Sequence, residues 1–306
     1  MVIKERCESE ELLLFRQLYL RMELSEKDKQ HYFNLEKGYE GELAFDHMID
    51  HQRSNCLILN DLLLEINNSL FQLDKVLIAP EKVYIYEVKN FEGDYYFESD
   101  RWFTLGKTEI KDPLLQLKRS DSSLRRLLKQ IGFNCTIDSH LIFVNPEFHL
   151  YNSPIHQPII YPTQINRHIY DFKLNSSLKL NNNHFKLAEK LLDLHISKNP
   201  YSLVPKYQYD DIKKGIVCPT CGSFYSGMKE AHLLSCGKCG FKETVESGVL
   251  RSVGEFALLF PDVRITKNIV WDWCRIVSSK YIIQRILMDN FKVVGAGKAL
   301  HYIKKI

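Results

Sequence analysis

Residues 70–90 read LFQLDKVLIAPEKVYIYEVKN. The two apolar runs on either side of Ala79-Pro80-Glu81 predict two strands joined by a turn. In the second strand, the twofold side-chain period places Glu87 and Lys89 on one face near the strand's carboxyl end. In the first strand, Asp74 is out of place by strand propensity. If the strands pair through the turn, Asp74 and Glu87 approach each other.

Two neighbouring carboxylates repel each other unless a cation lies between them. Mg²⁺ (or Mn²⁺) suits such a pair, because it takes oxygen ligands and keeps several waters. The ion would polarise a phosphate and lower the pKa of a bound water, and Lys89 would position that water and stabilise negative charge. The alternative is a surface Glu-x-Lys ion pair at a strand end without a metal. The Glu-x-Lys pattern alone does not distinguish a metal site from such an ion pair, so the flanking sequence is needed.

The flanking sequence has the pattern of an α/β domain. Helical apolar spacing over residues 38–49 precedes strand-like runs between residues 56 and 105. Asp112-Pro113 then opens a helix, with Pro in its favoured first turn, and residues 140–145 form a short buried-type strand. The predicted order is α-β-β-β-α-β, a mixed sheet flanked by helices, although other α/β domains share that order.

An ordered set of residues resembles the nuclease-related (NERD) domain of the PD-(D/E)xK nuclease superfamily, over roughly residues 37–150. The set comprises Gly38-Tyr39-Glu40-Gly41-Glu42, Asp74, Glu87-Val88-Lys89-Asn90 and Asp112-Pro113-Leu114-Leu115-Gln116. The resemblance implies a restriction-endonuclease-like core and cleavage of DNA. It implies that Asp74 and Glu87 bind the metal, that Lys89 is the catalytic lysine, that Glu42 is a helix-borne acid and that Gln116 holds the site or the substrate.

Four of the eight cysteines form two Cys-x-x-Cys pairs, Cys218/Cys221 and Cys236/Cys239. Two such pairs at this separation predict a tetrahedral four-thiolate Zn²⁺ site. A closed site of this kind has no open position for water, so we expect one structural zinc ion in a zinc ribbon. A redox disulfide pair is the alternative.

The end of the chain is basic. Residues 264–306 contain nine Lys or Arg residues and two acids, a net charge of +7, whereas residues 1–263 carry −4. Short helices are predicted over residues 268–277, 280–288 and 298–304, and the last part loosely resembles a helix-turn-helix unit. The residues expected to contact nucleic-acid phosphates are Lys280, Arg285, Lys292 and Lys298, and a solvated helix face is the alternative.

These patterns predict five segments. They are an N-terminal helical extension (1–36), the nuclease-like domain (37–150), a connecting region and linker (151–212), the zinc ribbon (213–247) and a basic helical tail (248–306). Scattered cysteines and the lack of a signal peptide or a long apolar run favour a cytoplasmic protein without membrane contact.

Two functions fit the sequence. The first is a Mg²⁺-dependent nuclease that hydrolyses DNA and is delivered to it by the zinc ribbon and basic tail. The second is a catalytically silent DNA-binding regulator that uses a nuclease-like fold. The residues do not separate DNA from RNA as substrate, and a homodimer is compatible with either function.

Overall fold

The computed structural model describes residues 1–50, 55–174, 179–230 and 232–305. The chain divides into two compact units, one formed by Met1–Ser9 and Phe33–Ser202 and the other by Glu10–Tyr32 and Leu203–Ile306. Within the described ranges, no helix combines the length and the apolar character needed to cross a membrane.

The regular elements alternate along most of the chain. The helices are α1 Glu10–Arg21, α2 Glu26–Asp50, α3 Pro113–Gln130, α4 Ile165–Leu174, α5 Asn182–Asp193, α6 Val245–Leu259, α7 Lys267–Cys274 and α8 Lys280–Asn290. The strands are β1 Val2–Lys4, β2 Leu57–Ile66, β3 Ser69–Ile78, β4 Val83–Lys89, β5 Gly93–Glu98, β6 Arg101–Thr104, β7 Glu109–Ile110, β8 Ile137–Phe143, β9 Phe148–Tyr151, β10 Ile159–Ile160, β11 Met228–Glu230, β12 Leu233–Ser235, β13 Lys242–Thr244, β14 Phe291–Val294 and β15 His301–Lys304.

The first unit is built on a six-stranded mixed sheet of order β1-β2-β3-β4-β8-β10. Strands β2, β3 and β4 pair antiparallel, whereas β4 pairs parallel with β8. The β2–β3 turn uses Asn67 and Asn68, both at positive φ, as a two-residue hairpin turn demands. The predicted α-β-β-β-α-β order and the mixed sheet flanked by helices are therefore confirmed, with α2 and α3 as the helices.

Helices cover both faces of this sheet. On one face, Leu117 and Leu124 of α3 and Leu191 of α5 pack in one core with Ile85 of β4. On the other face, Phe45 of α2 packs in a second core with strand and α4 side chains. The turn after β4 leads away into a second, four-stranded sheet of order β7-β6-β5-β9. The carboxyl end of β4 therefore lies where the chain leaves the main sheet.

The second unit contains a three-stranded sheet, β11-β12-β13, and the helices α1, α6, α7 and α8. The predicted helices over residues 268–277 and 280–288 correspond to α7 and α8. The helix predicted over residues 298–304 is wrong, because His301–Lys304 forms β15 and pairs antiparallel with β14. Two adjacent valines and glycines at positive φ, Gly295 and Gly297, favour a hairpin there.

The N-terminus also differs from the helical extension expected for residues 1–36. Val2–Lys4 is the edge strand β1, parallel to β2, and α1 lies in the second unit. Residues 26–50 form one continuous helix, α2, although the sequence indicated separate segments broken near Gly38. Glycine costs a helix interior only about 1 kcal/mol, which the packing of α2 on the sheet outweighs.

Gly41 is required by the close approach of α2 to the sheet. A Cβ atom at Gly41 would lie 2.5 Å from Cβ of Asn90 and 3.3 Å from Cγ2 of Val144, whereas a Cβ atom at Gly38 would meet nothing within 4 Å. We expect Gly41→Ala to lower the free energy of unfolding by about 1–3 kcal/mol through overpacking. Gly38→Ala, the matched control, should raise it by up to about 1 kcal/mol.

Denaturant unfolding of the two variants and the wild type measures both effects. Equal behaviour of the two alanine variants would contradict the close approach of α2 to the sheet.

Candidate active site and metal centre

The predicted catalytic residues of the central strands lie together at the carboxyl end of β4. Asp74 lies opposite Glu87, one residue beyond the last paired positions, Lys75 and Tyr86. The side chain of Asp74 accepts a hydrogen bond from the backbone N–H of Val88, at 2.8 Å. Both carboxylates are buried, with Asp74 6% and Glu87 2% exposed. The hairpin alone therefore brings the two acids together.

Lys89 connects Glu87 to the next helix. Its Nζ lies 2.8 Å from Oε1 of Glu87 and donates a 3.2 Å hydrogen bond to Oε1 of Gln116. Gln116 is placed by the start of α3, where the Asp112 side chain caps the helix by accepting from the N–H of Leu114. The sequence placed Glu87, Lys89 and Gln116 in one site, and the structure brings these three together.

Glu42 reaches this cluster through an arginine that the sequence analysis did not single out. Arg6 lies just after β1 and forms ion pairs with Glu42 and with Asp46, one helical turn further along α2. The same guanidinium donates to the backbone carbonyl of Asp74, at 2.9 Å. Arg6 thus ties α2 to β3 beside the two buried acids.

Lys75 is the second residue that the sequence analysis missed. Its side chain is fully buried and points to the α2 face of the sheet, where Nζ lies 2.6 Å from Asp46 and 2.7 Å from Oδ1 of Asn60. The available signal was its position next to Asp74, because adjacent strand residues point to opposite faces. Two charged neighbours inside an apolar strand therefore place a charge on each side of the sheet.

Burial and mutual repulsion perturb the acids of this cluster. Burial, and then the neighbouring Asp74 carboxylate, raise the pKa of Glu87 to about 7. The same two causes raise the pKa of Glu42 to about 8, against the opposing effect of Arg6. Burial also raises the pKa of Asp74. For Lys89, burial lowers the pKa, but Glu87 and Asp74 outweigh it, so the pKa is raised.

The donor set of the cluster fits a divalent cation. At the end of β4, the two buried carboxylates of Asp74 and Glu87 lie beside Lys89, which is paired with Glu87. Buried carboxylates left without full compensation hold protons, which is what their raised pKa values express. A hard cation with oxygen ligands would replace those protons. Asp74 and Glu87 could hold it, with Lys89 and Gln116 beside them.

The four cysteines of the two knuckles form the second candidate metal centre. Their sulfur atoms lie within 4.8 Å of one another. The Sγ atoms of Cys218 and Cys239 are 3.6 Å apart, and those of Cys221 and Cys236 are 3.5 Å apart. A tetrahedral site with Zn–S bonds of about 2.3 Å needs sulfur separations of about 3.8 Å. Among the described residues, this is the one cluster of three or more Cys, His, Asp or Glu ligands so close together.

Both knuckles have the same backbone geometry. In each, the N–H of the following glycine (Gly222 or Gly240) donates to the carbonyl of the first cysteine, at 3.0 Å. Both glycines have positive φ, a conformation that side chains strain. The side chain and the N–H of Ser223 lower the pKa of the Cys221 thiol to about 6. The two turns therefore gather four sulfur atoms at one point, and His232, which is exposed, is not among the clustered ligands.

The four basic residues predicted to contact nucleic acid all lie in the second unit and are exposed. Lys280 and Arg285 belong to α8, Lys292 to β14 and Lys298 to the single 3-10 turn Gly297–Ala299 before β15. All four therefore lie in the segment formed by α8 and the β14–β15 hairpin, which is distant in sequence from the acidic cluster.

The raised acid pKa values predict how pH affects stability without a divalent cation. Because Glu42 and Glu87 bind protons more tightly in the folded state, the free energy of unfolding should fall as pH rises between 4.5 and about 8. Glu87→Gln, which has no proton to lose, should remove part of that fall. Denaturant unfolding at several pH values between about 5 and 9 measures it. The same pH dependence in the wild type and in Glu87→Gln would contradict a raised pKa of Glu87.

Comparison with protein families agrees with the geometry. Residues 37–144 match the model of the nuclease-related domain (NERD). Residues 174–247, which include α5 and the zinc-ribbon cysteines, match a domain of unknown function (DUF6671). Searches of curated proteins and of solved structures found no match. The segment that matches the nuclease-related domain, residues 37–144, contains all five predicted site residues: Glu42, Asp74, Glu87, Lys89 and Gln116.

Proposed function

We propose that this chain is a metal-dependent nuclease that hydrolyses phosphodiester bonds in DNA. The observation that carries the proposal is the buried cluster in which Asp74, Glu87 and Lys89 converge at the end of β4, inside a nuclease-related domain. Isolated ion pairs at strand ends are solvated, whereas the two carboxylates here are almost completely buried and repel each other. Such an arrangement is costly for stability alone and is typical of a functional site.

Asp74 and Glu87 are the proposed ligands of Mg²⁺ or Mn²⁺. The N–H of Val88 holds one oxygen of Asp74, and Lys89 holds one oxygen of Glu87, so each carboxylate is oriented and keeps an oxygen for a metal. When bound, the ion supplies charge to polarise the phosphate and lowers the pKa of a coordinated water.

Lys89 acts as a cation and not as a base. Its raised pKa keeps the ammonium group protonated at neutral pH. Its side chain is 20% exposed, against 3% for Glu87, so a substrate can reach Lys89 more readily than Glu87. Gln116 holds the ammonium from the other side. The group therefore orients the attacking water and stabilises negative charge on the phosphate.

Glu42 is a third carboxylate near the ligands, held by Arg6. Through the same arginine, the carbonyl of Asp74 is also fixed. We assign Arg6 as a positioning residue for both acids. Because its raised pKa keeps Glu42 largely protonated, this carboxyl would add negative charge to the cluster only when a divalent cation displaces its proton.

The second unit would deliver the nuclease domain to DNA. The four-cysteine cluster is proposed to hold one structural Zn²⁺, and the basic tail to contact the polyanion. The setting proposed for this reaction is the cytoplasm.

Removing the carboxylate of Glu87 or the ammonium group of Lys89 should abolish cleavage. We expect Glu87→Ala and Lys89→Ala each to reduce metal-dependent cleavage by about a hundredfold or more, because each loses charge used in the transition state. Plasmid, linear duplex and single-stranded DNA, each with Mg²⁺, Mn²⁺ or EDTA, are the substrates and conditions. Glu81→Ala, which removes an exposed acid from the turn before the same strand, is the matched control.

Wild-type protein that is folded, contains zinc and cuts no substrate would overturn the proposal in favour of a silent DNA-binding regulator. Cleavage retained in Glu87→Ala would instead refute the site. A preference for RNA would change the substrate and leave the site assignment intact.

The cysteine cluster predicts one Zn²⁺ per chain. Cys221→Ser should lose the zinc and lower the thermal stability of the second unit, since small zinc modules fold with their metal. Elemental analysis and thermal unfolding measure the two effects. Cys7→Ser, which removes an exposed thiol outside the cluster, is the control. Zinc retained in full by Cys221→Ser would contradict the four-thiolate site.

A further inference from the structure

The last helices and the terminal hairpin of the chain follow one another as α6, α7, α8, β14 and β15. Between α6 and α7, Ile265 forms an antiparallel bridge with Tyr302 of β15, whose N–H donates to the carbonyl of Ile265, at 2.9 Å. The order is therefore helix, bridging strand position, helix, helix, hairpin. This is the order of a winged helix, in which a β-hairpin is added to a helix-turn-helix.

The packing of these elements leaves one face of α8 uncovered. Phe256 of α6 and Trp273 of α7 are fully buried, with ring centres 5.5 Å apart. Ile283 and Leu287 point inward from α8 and are fully buried, and Tyr302 of the hairpin is 2% exposed. The apolar side of α8 is thus buried inside the unit, and the opposite side of the helix is exposed.

The outer face of α8 is neither a simple solvated face nor an apolar one. Tyr281, Arg285 and Met288 follow each other at helical spacing, and Tyr281 is 71% and Met288 53% exposed. Gln284 lies beside them and accepts a 3.1 Å hydrogen bond from Lys267, at the start of α7. An arginine and an amide between large exposed side chains are the groups that read base edges and thymine methyls.

Positive charge surrounds this face. Lys280 lies at the start of α8, with Nζ 4.5 Å from the centre of the Trp271 ring. In the described part of the chain, Arg285, Lys292 and Lys298 form no ion pair with a carboxylate. Asp289, at the far end of α8, is the exposed acid of the helix. The surface therefore keeps its charge for a polyanion.

We propose that residues 245–305 form a winged helix that binds duplex DNA, with α8 in the major groove and the β14–β15 hairpin against a neighbouring phosphate backbone. The choice of DNA rests on the proposed function. The choice of a duplex rests on shape, because a helix with its side chains is about 10–12 Å wide and the major groove about 12 Å. Arg285 and Gln284 would contact bases, and Lys280, Lys292 and Lys298 would contact phosphates.

The test measures binding separately from cleavage. Full-length protein that contains zinc and carries Glu87→Gln is titrated, without added Mg²⁺ or Mn²⁺, into a fluorescent duplex of about 20 base pairs, which spans two helical turns. Anisotropy gives the affinity at several salt concentrations. The same strand unpaired, and a duplex RNA of equal sequence, are titrated in parallel.

We expect Arg285→Ala to weaken duplex DNA binding by about tenfold to a hundredfold. Lys292→Ala and Lys298→Ala should each lower the slope of log affinity against log salt by about one. Lys27→Ala, which removes an exposed lysine at the start of α2, is the matched control and should change neither quantity. Circular dichroism and zinc content verify that each variant is folded.

Affinity unchanged in Arg285→Ala, Lys292→Ala and Lys298→Ala would overturn the winged-helix surface, as would stronger binding of the single strand or of RNA, or no binding at all. Because the assay uses the Glu87→Gln background, a protein that never cleaves DNA can still pass it. A nuclease that binds DNA through another surface fails it, so the two proposals can fail separately.

Discussion

The buried ion-pair network around Arg6 and Asp46 is the interaction on which the candidate active site depends. It joins three parts of the fold: the segment after β1, the middle of α2 and the strand β3. Charges this deep are stable only when each has a partner, because removing one partner leaves a buried charge uncompensated. The network therefore fixes where α2 crosses the sheet, and Gly41 allows the backbones to come close enough for it to form.

The cluster at the end of β4 extends this network and shares its charges. Arg6 compensates Glu42 and holds the carbonyl of Asp74, while Lys89 compensates Glu87. Even with these cations, burial and then repulsion by the Asp74 carboxylate raise the pKa values of Glu42 and Glu87. A site meant only for stability would be balanced or apolar. Buried carboxylates with raised pKa values, held in a fixed arrangement, instead fit a site that can take up a cation.

The second unit contains the cysteine knuckles and the basic helical segment. The segment with the two cysteine knuckles has a short three-stranded sheet, and its four cysteines are gathered where a metal ion could hold them. Phe256 of α6 and Trp273 of α7 are buried against each other, and exposed basic side chains lie on α8 and the hairpin. Within this chain, one unit thus carries the candidate chemistry and the other a candidate surface for the polyanion.

The amino-acid sequence by itself determined the features that depend on local spacing. Strand periodicity placed Glu87 and Lys89 on one face, the Pro80 turn brought Asp74 next to them, and the two Cys-x-x-Cys pairs predicted the sulfur cluster. The tertiary structure alone decided which distant charges compensate the site, since Arg6 and Lys75 act through contacts that no spacing encodes. It also decided that His301–Lys304 is a strand. The local pattern of this basic segment fits a helix or a strand, and pairing with β14 selects the strand. In that strand, Tyr302 is buried.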